Sequence, residues 1–296
     1  FQYGYKGMVK DHNIPPVRLD PESVNSIHEI GGTILSSSRG PQDPQSMVDF
    51  LEELSISVVF TIGGDGTLRG AQALAKEIHK RALPIAVIGI PKTIDNDIPF
   101  VEKTFGFETA VAASREVIQS AHVESKGTEN GIGLVKLMGR DSGFIAAQAA
   151  LANADVNFCL IPEVAFTLEG PGGFLQQLET RLRRRRHAVI VVAEGAGQPL
   201  MSADPRTDAS GNILYEDIGV YLKNRIADYF RRIDMPASVK YIDPSYIIRS
   251  KPANANDSLF CLRMGQHAVH AGLAGKTEMM AGYWNQHFTH VPLKLA

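Results

Sequence analysis

Cysteine is almost absent from this chain. Two residues in 296, Cys159 and Cys261, cannot build a disulfide framework or a cysteine-rich metal site. Cys159 lies in the apolar strand Val156 to Ile161 and Cys261 in a helical pattern, and both are expected to be reduced and buried in a cytoplasmic protein. Long hydrophobic runs are missing as well. No stretch approaches the ~18 apolar residues of a membrane span, and no basic-apolar leader opens the sequence, so neither insertion nor a retained signal peptide is expected. Excess positive charge is also lacking: 30 Lys and Arg against 32 Asp and Glu leave a net charge of −2, which recommends no nucleic acid as a partner. The single basic run, Arg181 to His187, closes a helical stretch, where cations complement the dipole and reach into water as a solvated or subunit-contact face. There is no internal repeat and no low-complexity tail. What remains, 44% hydrophobic with 27 glycines and 16 prolines, suffices for one large domain or two smaller ones.

The glycines are most informative in IGGDGT, Ile62 to Thr67. Val58 to Ile62 reads as a buried strand and Leu68 to Ile78 carries a helical period, so Gly63 and Gly64 fall where a strand turns into a helix. Such a turn suits a phosphate: no side chain holds the anion away from the amides, and the helix N-terminus carries about half a positive charge. Gly66 keeps the approach open and Thr67 can add a hydroxyl. The alternative is a tight turn with no ligand. Asp65 counts against it, because a carboxylate beside phosphate makes sense when a divalent cation lies between, and Mg prefers hard oxygen ligands.

A second run, PKTIDND at Pro91 to Asp97, follows the hydrophobic strand Leu83 to Ile90. Ligands gather in loops at the carboxyl ends of strands in open α/β sheets. Asp95 and Asp97 flank Asn96, an arrangement that also suits an Asx-capped turn. Combined with Asp65, the loop supplies what Mg-assisted phosphoryl transfer to an alcohol requires: a metal ligand, a base, and in Lys92 a cation beside the moving phosphate.

Strand and helix signals alternate onward: helix Phe105 to Val123, strand Gly131 to Leu137, helix Ser142 to Leu151, strand Val156 to Ile161, helix Gly173 to Arg185 and strand Ala188 to Ala193. The polar segment Gly195 to Gly211 reads as a long surface loop; helix Ile218 to Phe230, strand Val239 to Ile242 and helix Asn256 to Leu273 come after it. This pattern predicts an α/β protein wound on mostly parallel sheets, with Glu124 to Asn130 as the best break between domains.

GGDGT, PKTIDND, GFETA at Gly106 to Ala110, MGRDSGFIA at Met138 to Ala146, VAEG at Val192 to Gly195 and DPSYIIRS at Asp243 to Ser250 together resemble the 6-phosphofructokinase family, in the family's order and over the whole chain. The resemblance implies a two-domain α/β fold. Residues 1–125 with 252–296 would hold the phosphoryl donor, and residues 126–251 would hold fructose 6-phosphate. It implies that Asp95 takes the proton from the sugar's 1-hydroxyl, with Thr93 contacting the sugar or the transferred group, Asp97 supporting base and cation, and Asp65 binding Mg. Arg140 would neutralise transition-state charge. Met138 and Gly139 belong to the segment that holds the phosphate groups, although Met138 also reads as core, and Arg140 with Asp141 also reads as a surface ion pair. Glu194 matches the carboxylate that grips sugar hydroxyls. Tyr246, which could alternatively pack, and Arg249 match the pair at the 6-phosphate end. Lys240 falls where bacterial relatives place an arginine that crosses a subunit interface, which implies a homodimer or homotetramer. Arg39, in Ser36 to Gly40, would face the donor phosphates. Arg69 and Lys103 are read as solvated charges.

The donor is expected to be ATP. Pyrophosphate-using relatives carry a second aspartate where this chain has Gly66, yet they share its Lys92. The combination resembles the ATP-using branch related to the pyrophosphate-type enzymes. Gly131 occupies the position of a cross-subunit arginine in the bacterial allosteric pattern, so that regulation does not carry over. Family members open with a strand and a glycine-rich loop ahead of the segment that here begins the chain, and they continue past its end; the expectation is a trimmed chain or fragment. Two alternatives stand beside the ATP-dependent enzyme: a pyrophosphate-dependent one, and a catalytically incomplete piece that binds sugar phosphate.

Overall fold

The computed structural model describes residues 1–201, 206–207 and 213–295. Helix α1 (Pro44–Glu53) starts at Asp43, whose carboxylate accepts the Ser46 amide at 2.8 Å, while Pro44 occupies the first turn, where no amide hydrogen is needed. Strand β1 (Val58–Gly63) leads into α2 (Asp65–Lys80), whose Leu68, Ala71, Leu74, Ala75 and Ile78 recur at helical spacing and are all buried. Next come β2 (Ala86–Pro91), α3 (Phe107–Lys126), β3 (Gly131–Leu137), α4 (Phe144–Leu151), β4 (Phe158–Leu160), α5 (Phe174–Arg185) and β5 (His187–Ala193). The short antiparallel pair β6 (Arg206–Thr207) and β7 (Ile213–Leu214) precedes α6 (Ile218–Arg232), β8 (Ser238–Ile242), α7 (Ser245–Ser250) and α8 (Ala255–Leu273). A hairpin, β9 (Met279–Trp284) and β10 (His287–Pro292), follows.

The chain divides into two compact units. Unit 1 comprises Phe1–Glu108 and the chain from Lys251 onward; unit 2 runs from Thr109 to Ser250 among the described residues. The first division falls at the start of α3, whereas the sequence pattern placed it after the helix; the helix's own backbone bonds make its end look like the boundary. The sheet of unit 1 has the order β1-β2-β9-β10, parallel except for the last strand. Its core on one side is built from Leu51, Leu68, Leu74 and Met280; on the other, α8 packs Phe260 and Met264 over Ile88 and Met279. The sheet of unit 2, β4-β5-β3-β8, is wholly parallel, and Leu134, Ile190, Leu178 and Phe230 are at most 1% exposed in its core. Each such side chain contributes about 1.5–3 kcal/mol by leaving water.

Three expectations need correction. Strand β1 is not buried throughout: it lies at the sheet edge, and alternation leaves Phe60 and Ile62 38% and 56% exposed. Cys159 is exposed, because it sits on the edge strand β4 with its side chain on the face opposite Leu160, and Cys261 is half-exposed on α8. The α1 helix and the β9–β10 hairpin had no place in the sequence pattern; α1 is short, and β9 is buried from Met279 to Gly282 on both faces, so it shows no alternation. Part of the predicted loop Gly195 to Gly211 lies outside the described residues.

Candidate active site

The two sequence motifs of unit 1 meet at the carboxyl ends of β1 and β2. Gly63 pairs in register with Pro91, and the Lys92 amide donates to the Gly63 carbonyl at 2.7 Å. Gly63 has no room for a side chain: a Cβ there would stand 2.1 Å from the Thr67 hydroxyl oxygen. Gly64 caps α2 with no side-chain bond, and its carbonyl accepts the amides of Thr67 and Leu68 at 2.9 and 3.0 Å. A Cβ on Gly66 would meet nothing within 4 Å, so the turn leaves open space there. The Tyr5 hydroxyl supports the turn from outside by donating to the Thr67 carbonyl at 2.6 Å; burial raises its pKa and keeps it a neutral donor. No motif flagged Tyr5, because its role depends on where the opening segment folds.

The carboxylate loop is closed by a residue the sequence argument passed over. Asn96, in the left-handed region at φ 56°, accepts the Thr104 amide at 2.7 Å and hydroxyl at 3.1 Å, and donates to the Glu102 carbonyl at 3.2 Å. The Asx function in this loop is therefore performed by the amide between the two aspartates. The Thr93 hydroxyl accepts the Asp95 amide at 3.0 Å and lies 3.4 Å from Asp97. Lys92 and Asp97 are exposed and Asp95 is half-buried. Asp65 forms an ion pair at 2.8 Å with Arg69, one turn on, so Arg69 is not a merely solvated charge. Arg39 is exposed, also in unit 1.

No cluster of three or more metal-ligating side chains occurs among the described residues. Mg does not require one, since it keeps several waters and takes one or two carboxylates together with substrate phosphates. The hard oxygens of Asp65 and Asp97 fit that chemistry, with Arg69 as the counter-ion a cation would replace.

In unit 2 the central strand β3 ends in the loop Met138 to Gly143. Glu194, just beyond β5, donates its amide to the Leu137 carbonyl at 2.9 Å, and its Oε1 accepts the amides of Arg140 at 2.7 Å and Gly139 at 3.3 Å. This explains a carboxylate at the end of an apolar strand: it holds the loop. Its Oε2 has no partner among the described residues. Gly195 is required by close approach, since a Cβ there would stand 2.0 Å from the Arg140 carbonyl oxygen. Arg140 has φ 50°, a conformation that costs a non-glycine residue about 1 kcal/mol. Its guanidinium makes no ion pair among the described residues. Asp141 is instead bonded by the Tyr215 hydroxyl, so the surface-pair reading of Arg140 with Asp141 does not hold. Met138 is buried, and the Gly143 amide donates to Glu163 at 2.8 Å.

A charged clamp stands beside this loop. Lys136 Nζ is 2.9 Å from Asp217, the N-cap of α6, and 2.9 Å from Asp243, which precedes α7. Tyr241 donates to Asp217 at 2.8 Å. Burial opposes charge on Lys136, but its bonds to Asp243 and Asp217 outweigh burial and raise its pKa; both aspartates are lowered, again against burial, Asp217 chiefly by Lys136 and Asp243 by Ser245 first and then Lys136. The one sequence signal for this clamp was a lysine within the apolar strand GLVKL. On α7, Tyr246 and Arg249 are three residues apart and share a face. Tyr246 is 85% exposed, which rules out simple packing within this chain. Lys240 pairs with Glu124 at 3.6 Å on the surface.

A sequence profile described as "Phosphofructokinase" matches residues 1–272. The ATP-dependent 6-phosphofructokinase of Borreliella burgdorferi is 54% identical over 302 aligned residues, covering 100% of this chain and 68% of that protein. ATP-dependent 6-phosphofructokinase 7 of Arabidopsis thaliana is 49% identical, covering 98% of this chain and 60% of its own length. The chain thus spans between 60% and 68% of these two relatives. Among solved structures, a pyrophosphate-dependent phosphofructokinase from Marinobacter aquaeolei superposes with a TM-score of 0.73 at 24% identity, over 94% of this chain and 69% of its own. Phosphofructokinase from Saccharomyces cerevisiae gives 0.77 at 23% identity, over 99% and 40%. At such identities the superpositions establish the fold alone.

Proposed function

The chain belongs to the phosphofructokinase family, and from that premise we propose that it serves ATP-dependent phosphorylation of fructose 6-phosphate at the 1-hydroxyl, giving fructose 1,6-bisphosphate and ADP. The observation that carries the reading is the 2.7 Å bond from the Lys92 amide to the Gly63 carbonyl, which holds a phosphate turn against a loop of carboxylates.

In this reading the amides of the Gly64–Thr67 turn and Arg39 bind the donor's phosphates. Asp95 removes the proton of the sugar's 1-hydroxyl as its oxygen bonds to the γ-phosphorus. The bond from that phosphorus to the β-γ bridging oxygen breaks, and ADP departs. Thr93 steadies the loop through the Asp95 amide, and Lys92 and Arg140 neutralise the oxygens of the transferred group. Asp65 and Asp97 would hold Mg, which when bound neutralises charge on the donor phosphates. Glu194 positions the Gly139–Arg140 backbone and offers Oε2 to a sugar hydroxyl. Tyr246 and Arg249 take the 6-phosphate, to which a guanidinium fork is well matched.

ATP is favoured over pyrophosphate because the open space at Gly66 leaves room for a nucleotide's α-phosphate. Lys92 supports the second reading, pyrophosphate as donor. Steady-state assays with fructose 6-phosphate and each donor in turn, on this chain and on its longest natural form, decide between them. Turnover with ATP alone supports the proposal, preference for pyrophosphate reverses the donor assignment, and turnover with neither donor leaves a sugar-phosphate-binding piece.

A further inference from the structure

Unit 1 contains a cavity of about 570 Å³ that none of the candidate active-site residues lines. It lies between the C-terminal half of α2, the segment before β9 and the end of β10. That volume falls within the ~300–1,000 Å³ typical of small-molecule sites. Lys76 is eleven residues along α2 from Asp65, or about 16 Å at 1.5 Å per residue, so the cavity is remote from the phosphate turn.

Its charge is one-sided. Lys76, Lys276 and Lys294 line it together with His290, against the single carboxylate of Glu278. None of the three lysines forms an ion pair with a described residue, although elsewhere in unit 1 Lys10, Lys80 and Arg81 all do. Lysines gathered around one concavity without counter-ions raise the local concentration of anions. The lining also contains Pro292 and Leu293, which add apolar surface on the α2 side of the sheet. Thr277 adds a directed polar group: its hydroxyl oxygen accepts the Val87 amide at 3.0 Å, which leaves its own hydrogen free to donate.

The geometry points to a second anion site on unit 1, for a small organic phosphate whose phosphate meets the lysines and Thr277 and whose carbon skeleton covers Pro292 and Leu293. Inorganic phosphate satisfies only the cationic part of the lining, so the organic ester binds more tightly.

The test is amide-resolved NMR titration with phenyl phosphate and, separately, inorganic phosphate. Saturable shifts are expected at Thr277 and Glu278, at lower concentration with the ester. The combined variant Lys76→Gln, Lys276→Gln, Lys294→Gln weakens them about tenfold, as expected for three shielded charge contacts. Glu278→Gln acts in the opposite direction and tightens binding. All four substitutions fall on exposed side chains, so the fold is retained, as the unperturbed core amides of Leu51 and Val59 will report. Shifts at Gly64 and Asp65 report the phosphate turn separately, so failure of the proposed donor site does not mimic failure here. Absence of saturable shifts at Thr277 and Glu278 up to about 10 mM ester overturns the proposal. So does a triple-lysine variant that binds as the parent does.

Discussion

Lys136 and Asp243 stand 2.9 Å apart at the carboxyl ends of adjacent strands β3 and β8, and the same ammonium reaches Asp217 at 2.9 Å. One cation thereby ties the N-cap of α6 to the start of the helix that carries Tyr246 and Arg249. Lys136→Met leaves two carboxylates facing each other without a counter-charge and is expected to destabilise unit 2 by about 3 kcal/mol. It should also raise KM for fructose 6-phosphate more than KM for ATP, because α7 loses its anchor. Equal changes in both constants, or an unchanged urea midpoint, would remove the clamp from this role.

The same clamp sets a pH dependence. The folded pKa values of Asp217 and Asp243 lie below their ordinary value of 3.8, so their stabilisation is fully present above that value and is lost as the pH falls through the lower, folded values. Urea midpoints measured from neutral to about pH 2 should therefore fall more steeply for the parent than for Lys136→Met. Parallel curves for the two proteins would contradict the assignment.

Asp95→Asn should leave sugar-phosphate binding intact and lower turnover by ~10²-fold or more, the scale for removing a positioned base. Asn96 closes the loop independently of Asp95, so the fold survives. Near-parental turnover in this variant would exclude Asp95 as the base.

Arg249→Ala should weaken fructose 6-phosphate by about 2 kcal/mol, a typical loss for a partly shielded charge-assisted contact, with ATP affinity unchanged. Its exposure on α7 means that stability should barely move. Calorimetric titration with each ligand checks both statements, and undiminished sugar-phosphate affinity would be decisive against it.

Gly66→Asp tests the donor. Because nothing lies within 4 Å of the Cβ it would add, the substitution introduces charge without distorting the turn. kcat/KM with ATP should fall at least about tenfold more than with pyrophosphate, since a few kcal/mol of repulsion acts on the α-phosphate alone. Equal losses with both donors would assign Gly66 to turn geometry only.

Much of the architecture was legible in the residues. The alternation of periods placed β1, α2, β3, α5, β5, α6 and α8 within a few positions of their ends, because amphipathic spacing is a local property. Motif order also located Asp95, Arg140 and Glu194 at strand ends. Other features were not local. Cys159 reads as buried from its neighbours, yet its exposure depends on β4 being an edge strand. Glu194 reads as a ligand for sugar hydroxyls, yet its Oε1 is committed to two amides 54 and 55 residues away.

The sequence by itself determined the winding of the chain, its family and the chemical types gathered in each loop, since these follow from spacing and residue identity along the strand or helix. Tertiary structure alone decided which loops became neighbours. The pairing of Gly63 with Pro91, the Lys136 clamp across β3, β8 and α6, and the support of Thr67 by Tyr5 all depend on strand order and register. Those are set by how whole faces bury their apolar surface, a sum over distant residues that no local window contains.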